Sequence, residues 1–385
     1  MSQTVMLVAG EASGDMHGAG IARNLQQSGI RCIGMGSRHM QAAGVELLVD
    51  SSRIAVVGLV EVLAHWSEIQ AALKRLRNAL AERRPDLLLL IDYPEFNLKL
   101  AETAKSLGIK VLFYVSPQVW AWRPKRIHKI GRRIDHMAVI FPFETELYRS
   151  AGIPVTYVGH PLARRVQAGL DRETALRRFG LDPALKTVAL MPGSRNSEIK
   201  RLLPVLVEAA KEIQQRISKV QFVLPAASSL DAGALQQQIT ASGLRIPVVQ
   251  GQTYDAVNAS DFAITASGTA TLEVALLQKP MIVIYKVSPL SYAILKRLVT
   301  VKQIALANIV AGHPVVPELV QADATPEKIA AEALSLLTDA GRYQRIREAL
   351  QTVKRNLGGQ DGIAEVGRLA LRLLDVGEKG PAESQ

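Results

Sequence analysis

The sequence predicts an α/β protein of two facing, doubly wound Rossmann-like domains, with the active site in the cleft between them. Three observations predict it. Short β-branched and leucine-rich runs alternate with longer amphipathic stretches, the rhythm of βα units around parallel sheets. The series breaks once, across residues 159–182, where G-H-P-L-A-R and a polar, charged helix separate two apolar runs. Each half also opens with the same device, a strand running into a glycine turn and a helix start: V-A-G-E-A-S-G-D at 8–15 and L-M-P-G-S-R-N-S-E at 190–198.

In the first half the pattern gives strands at 5–9, 87–91, 111–115 and 137–140, with helices after the first strand, over 96–107 and from Glu144. In the second half it gives strands at 188–191, 221–224, 247–249, 262–265 and 281–285, with helical patterns between them. The expected organisation is a first domain over 1–165, a second over 166–345 and a helical segment over 346–385. That last segment is expected either to return to the first domain or to pack on a partner subunit, so a homodimer stays open.

Composition sets the outer limits. With 385 residues, 48% of them hydrophobic, the chain can bury two cores of ordinary size. The single Cys32 permits no internal disulfide, and the N-terminus lacks an apolar segment with a basic start, so a reducing cytoplasm is the expected compartment. No apolar run approaches the roughly 18 to 20 residues of a membrane span. The excess of 46 Lys and Arg over 35 Asp and Glu, a net charge of +11, suits an anionic partner: nucleic acid, a phosphorylated substrate or an anionic membrane surface.

Ligands of such sheets sit beyond the carboxyl ends of the strands, so both opening turns should face the cleft. Their charges differ. Glu11 and Asp15, with Ser13 and Gly14 between them, would repel phosphate; Gly193, Ser194 and Arg195 offer free backbone N–H groups, a hydroxyl and a guanidinium fork. The bland alternative for each is a tight connection with a capping serine. Neither turn fits G-x-G-x-x-G, so a hydride-transfer enzyme loses its main support. In I-T-A-S-G-T-A-T-L-E a third turn, Ser267-Gly268-Thr269, begins a helix, and Glu273 lies one helical turn beyond Thr269. A pyrophosphate on that helix start leaves Glu273 placed for ribose hydroxyls; the alternative is a capped helix with a solvated glutamate.

The motifs G-E-A-S-G-D, I-D-Y-P-E-F-N, Y-V-S-P-Q-V-W-A-W-R, L-M-P-G-S-R, A-S-G-T-A-T-L-E and N-I-V-A-G together resemble the lipid-A-disaccharide synthases, inverting glycosyltransferases of the GT-B fold. They run in the family's order over nearly the whole chain, each weak alone and specific as a set. The resemblance implies transfer of 2,3-diacylglucosamine from UDP-2,3-diacylglucosamine to 2,3-diacylglucosamine 1-phosphate, giving the β-1′,6-linked lipid A disaccharide 1-phosphate and UDP. It also implies that Asn308 joins the nucleotide or sugar site, where a plain turn asparagine is the alternative. One departure is Glu95, where the family often has Asp.

Inversion by direct displacement needs a base for the acceptor hydroxyl and a holder for charge on the departing diphosphate. Asp92 is the expected base: it follows L-L-L-L-I at a strand's carboxyl end, where apolar surroundings raise proton affinity. Its alternative role is to cap the next helix. Glu11 and Asp15 then read as partners of sugar and acceptor hydroxyls, and Arg195 as the holder of charge. No cofactor and no metal are expected, since the sequence has no D-x-D pair, no H-E-x-x-H and no Cys–His cluster.

Two stretches bear on partners. I-A-V-V-G-L-V-E-V-L-A-H-W, residues 54–66, is apolar on nearly every helical face. Core packing is its ordinary reading; the sharper one is contact with acyl chains or the bilayer through Val56, Val57, Leu59, Val60, Leu63 and Trp66. W-A-W-R-P-K-R-I-H-K-I-G-R-R, residues 120–133, joins Trp120 and Trp122 to six basic side chains, among them Arg123, Lys125 and Arg126. Such a segment suits a membrane surface or the acceptor's phosphate. It also suits single-stranded nucleic acid, but a nucleotide site of the strand-turn-helix kind tips the expectation to lipid and to no nucleic acid. Two other function classes stay open: a UDP-N-acetylglucosamine 2-epimerase-like enzyme of the same fold, and a noncatalytic nucleotide- or lipid-binding module.

Overall fold

The computed structural model describes residues 3–53, 66–122, 124–289, 291–293, 301 and 303–375. The chain divides into two compact units, Met1–Pro161 with Gln360–Gln385, and Leu162–Gly359.

The first unit is a seven-stranded, all-parallel sheet of β1 (Thr4–Ala9), β2 (Arg31–Gly36), β3 (Glu46–Asp50), β4 (Leu87–Ile91), β5 (Lys110–Tyr114), β6 (His136–Val139) and β7 (Val155–Tyr157). Its order is β3-β2-β1-β4-β5-β6-β7. A parallel sheet is covered on both faces, which is why β4 is the unbroken apolar run Leu87–Ile91, at most 1% exposed. In β1 the pleat sends Met6 and Val8 to one core, and Val5, Leu7 and Ala9 to the other. The helices Trp66–Arg83 and Pro94–Ser106 cover the first of these, and Ala12–Gln27 with Gly362–Leu373 the second. The returning helix lies close on Gly20, where a Cβ would come within 2.8 Å of Ile363.

The second unit is a six-stranded parallel sheet of β8 (Lys186–Met191), β9 (Val220–Ala226), β10 (Val248–Gln250), β11 (Phe262–Ala266), β12 (Met281–Tyr285) and β13 (Glu318–Val320), in the order β10-β9-β8-β11-β12-β13. The helix Ala340–Asn356 packs here against the helices Thr269–Leu276 and Pro326–Thr338. The segment that rejoins the first unit therefore begins at Gln360, not at 346.

Four strands escape the sequence pattern: β2, β3, β7 and β13. In β2 the reason is Gly34, whose place in the sheet leaves no room for a side chain, since a Cβ there would lie 1.9 Å from the Leu7 carbonyl oxygen. A glycine forced by packing hides a strand signal. β7 and β13 are three residues each and half-buried at sheet edges, too short to show a period.

Candidate active site

In the first unit the strand order reverses between β1 and β4, the switch point at which a doubly wound sheet opens a crevice. The register Ala9↔Ile91 brings the turn after β1 beside the turn after β4. Gly10 lies so close to Tyr93 that a Cβ would fall 2.4 Å from its ring. Asp92 and Tyr93 are both left-handed, each with φ 49°, and Val115 after the neighbouring β5 has φ 69°. Consecutive left-handed residues store strain, and such outliers concentrate at functional sites. Asn97 holds this one: its Nδ2 donates to the Asp92 carbonyl at 2.6 Å and the Ile91 carbonyl at 3.3 Å. Pro94 at the helix start fits, because its missing N–H needs no partner there.

The result is a carboxylate pair at the strand ends. Burial pushes the Asp92 carboxyl above the usual range, opposed by a hydrogen bond from the Tyr93 backbone. Burial and then the charge of Asp92 push Glu11 the same way. Both shifts run the same way, so each carboxyl holds its proton more readily than a solvated one would. Asp92 does not cap the following helix, whose N-cap is Tyr93.

Asp15 departs from its expected role. It is 1% exposed and accepts the backbone N–H groups of Ser37, His39 and Met40 at 2.6, 2.9 and 3.1 Å. A buried carboxylate needs such donors, and here they bind it to the start of the helix Arg38–Ala42. Gly14 is also buried, with room for a Cβ only at 3.3 Å from Ala9; Ser13 is exposed at the helix start.

In the second unit the order reverses between β8 and β11, and a cavity of about 690 Å³ opens at that point. Gly193, Ser194, Arg195, Ser267, Gly268, Thr269 and Glu273 all line it. The volume suits a small-molecule ligand. Gly193 (φ 117°) and Gly268 (φ 144°) are both in backbone regions that other residues avoid, and a Cβ on Gly193 would fall 2.2 Å from Glu198 Oε2. Gly268 is exposed with nothing within 4 Å of a Cβ, open at the start of the helix Thr269–Leu276. Ser267 donates to the Ile304 carbonyl at 2.9 Å, and Glu273 accepts from Tyr254 Oη at 2.9 Å, which leaves its other oxygen available.

Two expectations about this cavity need correction. The amides after Gly193 are not free: Glu198 Oε2 accepts the Ser194 and Arg195 N–H groups at 2.8 and 3.2 Å, and its Oε1 accepts from Arg195 Nη1 at 3.1 Å. A carboxylate three residues into a helix folds back on the unsatisfied N-terminal donors, so the chain supplies its own anion. Asn308 does not line the cavity. It is fully buried, with Nδ2 donating to Val316 O and Glu318 Oε1 and Oδ1 accepting from the Val315 and Val316 N–H groups. Its amide is saturated. Glu318 in turn accepts from the Ile304 and Ala305 N–H groups, so Asn308 acts on the cavity only through the loop that bonds Ser267.

Arg165, Gln167, Ser228, Gln252 and Tyr254 also line the cavity, and sequence reasoning missed them. One signal was present: G-Q-T-Y follows β10 as a further strand-turn-helix, with Gly251 at φ 75° before the helix Thr253–Ala259.

Of the aromatic and basic segment, Trp122 is 44% exposed, Lys125 is exposed, and Arg126 is ion-paired with Glu95 at 2.7 Å. Trp66 is 50% exposed, with Lys99 Nζ 5.5 Å from its ring centre. Val56, Val57, Leu59, Val60, Leu63 and Arg123 lie outside the described residues. Among the described residues no group of three or more His, Cys, Asp or Glu side chains could hold a metal ion, and no helix is long and apolar enough to cross a membrane.

Two doubly wound parallel units, one with a carboxylate pair and one with a polar cavity at the switch point, define the GT-B fold class. In fold the chain is similar to MnaA of S. aureus, solved with UDP (TM-score 0.65, 14% identity, all of both chains), and to MurG of Acinetobacter baumannii (TM-score 0.58, 18% identity, 96% of this chain and 99% of that one). The family model for lipid-A-disaccharide synthetase matches residues 5–370. Lipid-A-disaccharide synthase of Geobacter sulfurreducens is 50% identical over 97% of this chain and 98% of its own length, and that of Nitrosococcus oceani 50% identical over 94% and 95%. The chain belongs to the lipid-A-disaccharide synthase family.

Proposed function

We propose that the protein makes the lipid A disaccharide by transferring 2,3-diacylglucosamine from its UDP conjugate to the 6-hydroxyl of 2,3-diacylglucosamine 1-phosphate, with inversion at the anomeric carbon. The observation that carries the mechanism is Asp92, a partly buried carboxylate of raised proton affinity at the end of β4, in a strained turn held by Asn97. Asp92 takes the hydroxyl proton as the acceptor oxygen bonds the anomeric carbon; the bond from that carbon to the diphosphate oxygen breaks, and its electrons leave with UDP. Glu11 orients sugar hydroxyls beside it.

The donor's nucleotide belongs in the cavity of the second unit. Its diphosphate rests on the start of the helix Thr269–Leu276 and on Arg195, and Glu273 accepts from the ribose hydroxyls. On binding, the diphosphate replaces Glu198 at the Ser194 and Arg195 amides, exchanging an internal anion for the substrate's. The acceptor's phosphate draws on Lys125 and Arg126, displacing the exposed Glu95 from Arg126. Withdrawing a chain of about ten methylenes from a bilayer costs roughly 8 kcal/mol, so acylated substrates favour an enzyme at the inner face of the inner membrane. The apolar segment 54–66 and the exposed Trp66 and Trp122 supply the contact, and the net charge of +11 favours anionic lipid.

Mass spectrometry of the products from UDP-2,3-diacylglucosamine and the acylated sugar 1-phosphate tests the reaction. The disaccharide 1-phosphate with UDP is the expected result. An epimerised UDP-sugar, or substrate binding without turnover, would overturn it in favour of the epimerase-like enzyme or the binding module.

A further inference from the structure

Among the described residues only two acidic side chains are buried, Asp15 and Glu144. Backbone donors account for Asp15; Glu144 needs a different account, and the transfer reaction makes no use of it. Glu144 is the third residue of the helix Pro142–Ser150, and its Oε2 accepts the Phe141 N–H at 3.2 Å, an ordinary satisfaction of a helix start. Helix capping explains one oxygen. The other, Oε1, accepts from the indole Nε1 of Trp120 at 3.1 Å, a contact across 24 residues of chain. Beside the carboxylate, Ser116 Oγ donates to the Pro117 carbonyl at 2.9 Å and lies 2.8 Å from Tyr148 Oη. The Trp120 ring meets Phe141 and Phe143 edge-on at 6.4 and 5.3 Å, and those two rings stack on each other at 5.4 Å. One indole is thus fixed by a charge-assisted hydrogen bond at its edge and two aromatic rings around it.

A solvated glutamate would cap the helix as well without burial. Burial pushes the Glu144 carboxyl up to about 7, so keeping it inside is costly, and what the buried position adds is the hold on Trp120. That residue opens the W-A-W-R-P-K-R segment, with Trp122 exposed two residues on and Lys125 and Arg126 beyond it.

We propose that Glu144 is a positioning residue for the acceptor: through Trp120 it fixes the origin of the basic segment that takes the acceptor's phosphate. This rests on the assignment of Lys125 and Arg126 to that phosphate. The groups facing the carboxylate are Tyr148 on its own helix, with Ser116 and Trp120 from the turn after β5. His160 lies beyond Phe141, 5.0 Å between ring centres, with its imidazole lowered to about 4 by burial and by His17.

The full-length protein and its Glu144→Gln, Trp120→Phe and Arg126→Ala variants are assayed with donor and acceptor varied in turn, and the indole N–H signals of ¹⁵N-tryptophan protein are followed against pH. Glu144→Gln and Trp120→Phe should each raise the acceptor KM by about tenfold, with kcat and the donor KM within about twofold, the signature of lost ordering at a binding segment. The double variant should add nothing further. The indole signal absent from Trp120→Phe should titrate near 7 in the wild type and not in Glu144→Gln. An unchanged acceptor KM in Trp120→Phe, or an equal loss for both substrates, overturns the proposal. An unchanged acceptor KM in Arg126→Ala instead overturns the phosphate assignment, a separate failure. If Glu144→Gln does not fold, Trp120→Phe carries the same kinetic test.

Discussion

Asp92→Asn separates the proposed chemistry from the strained turn that presents it. Asp92 is left-handed, and asparagine visits that region as readily as aspartate. Alanine there adds roughly 1 to 2 kcal/mol of backbone strain, so Asp92→Ala would confuse the turn with the base. The Asn97 hydrogen bond goes to the Asp92 backbone carbonyl and survives the substitution. What is lost is the proton acceptor, which lowers turnover by about 10² to 10⁴, or roughly 3 to 5.5 kcal/mol of barrier. UDP binding, in the other unit, should be kept. The pH dependence follows from the raised Asp92 carboxyl. A base must be ionised, so wild-type kcat/KM falls as pH drops through that raised value, and the limb attributable to Asp92 disappears in the variant. Stability moves the opposite way. A carboxyl raised in the folded state contributes stability that is present below its unfolded pKa and lost as pH rises through the folded one. At neutral pH the wild type therefore bears the burial of a charge, and Asp92→Asn should melt higher while turning over more slowly. Radiolabelled donor turnover from pH 4 to 9, with thermal melts at the same points, reads both. Near wild-type turnover with an intact acid limb would refute Asp92 as the base.

Arg195→Ala should lower turnover more than it lowers donor affinity, because the guanidinium contact strengthens as the leaving diphosphate gains charge; Glu273→Ala should act mainly on UDP affinity, and a titration showing the reverse pattern would redraw the donor site. Glu198→Gln removes the internal anion from the Ser194 and Arg195 amides and should tighten UDP by about tenfold, the ~1.4 kcal/mol expected of unit charges about 6 Å apart at an effective dielectric of about 40; weaker UDP binding by calorimetry would make Glu198 a support of the turn instead of a placeholder. Asp15→Ala strands three N–H donors, that of Met40 buried and those of Ser37 and His39 partly so, and should cost about 3 kcal/mol in chemical denaturation. A stable but inactive Asp15→Ala would return that residue to the substrate.

The sequence by itself determined the architecture, because buried parallel strands are long apolar runs and each βα turn leaves a mark of glycine and polar residues where a ligand approaches. L-L-L-L-I before Asp92 and the turns at Gly193 and Gly268 are read from local chemistry, and the family motifs follow the same turns. The strand β2 was hidden because Gly34 answers to the Leu7 carbonyl, a contact made only by pairing. Hydrogen-bond destinations were hidden for the same reason. Asp15, Asn308 and Glu198 look alike in sequence as polar residues beside glycine turns. Tertiary contacts spend Asp15 on the backbone of 37–40 and saturate Asn308 with 315–318, whereas Glu198 folds over its own helix start by a local contact with Ser194 and Arg195. A side chain's type fixes what bonds it can make; which of them remain for a substrate depends on neighbours distant in the chain, and those are settled only when the sheets and their helices close together.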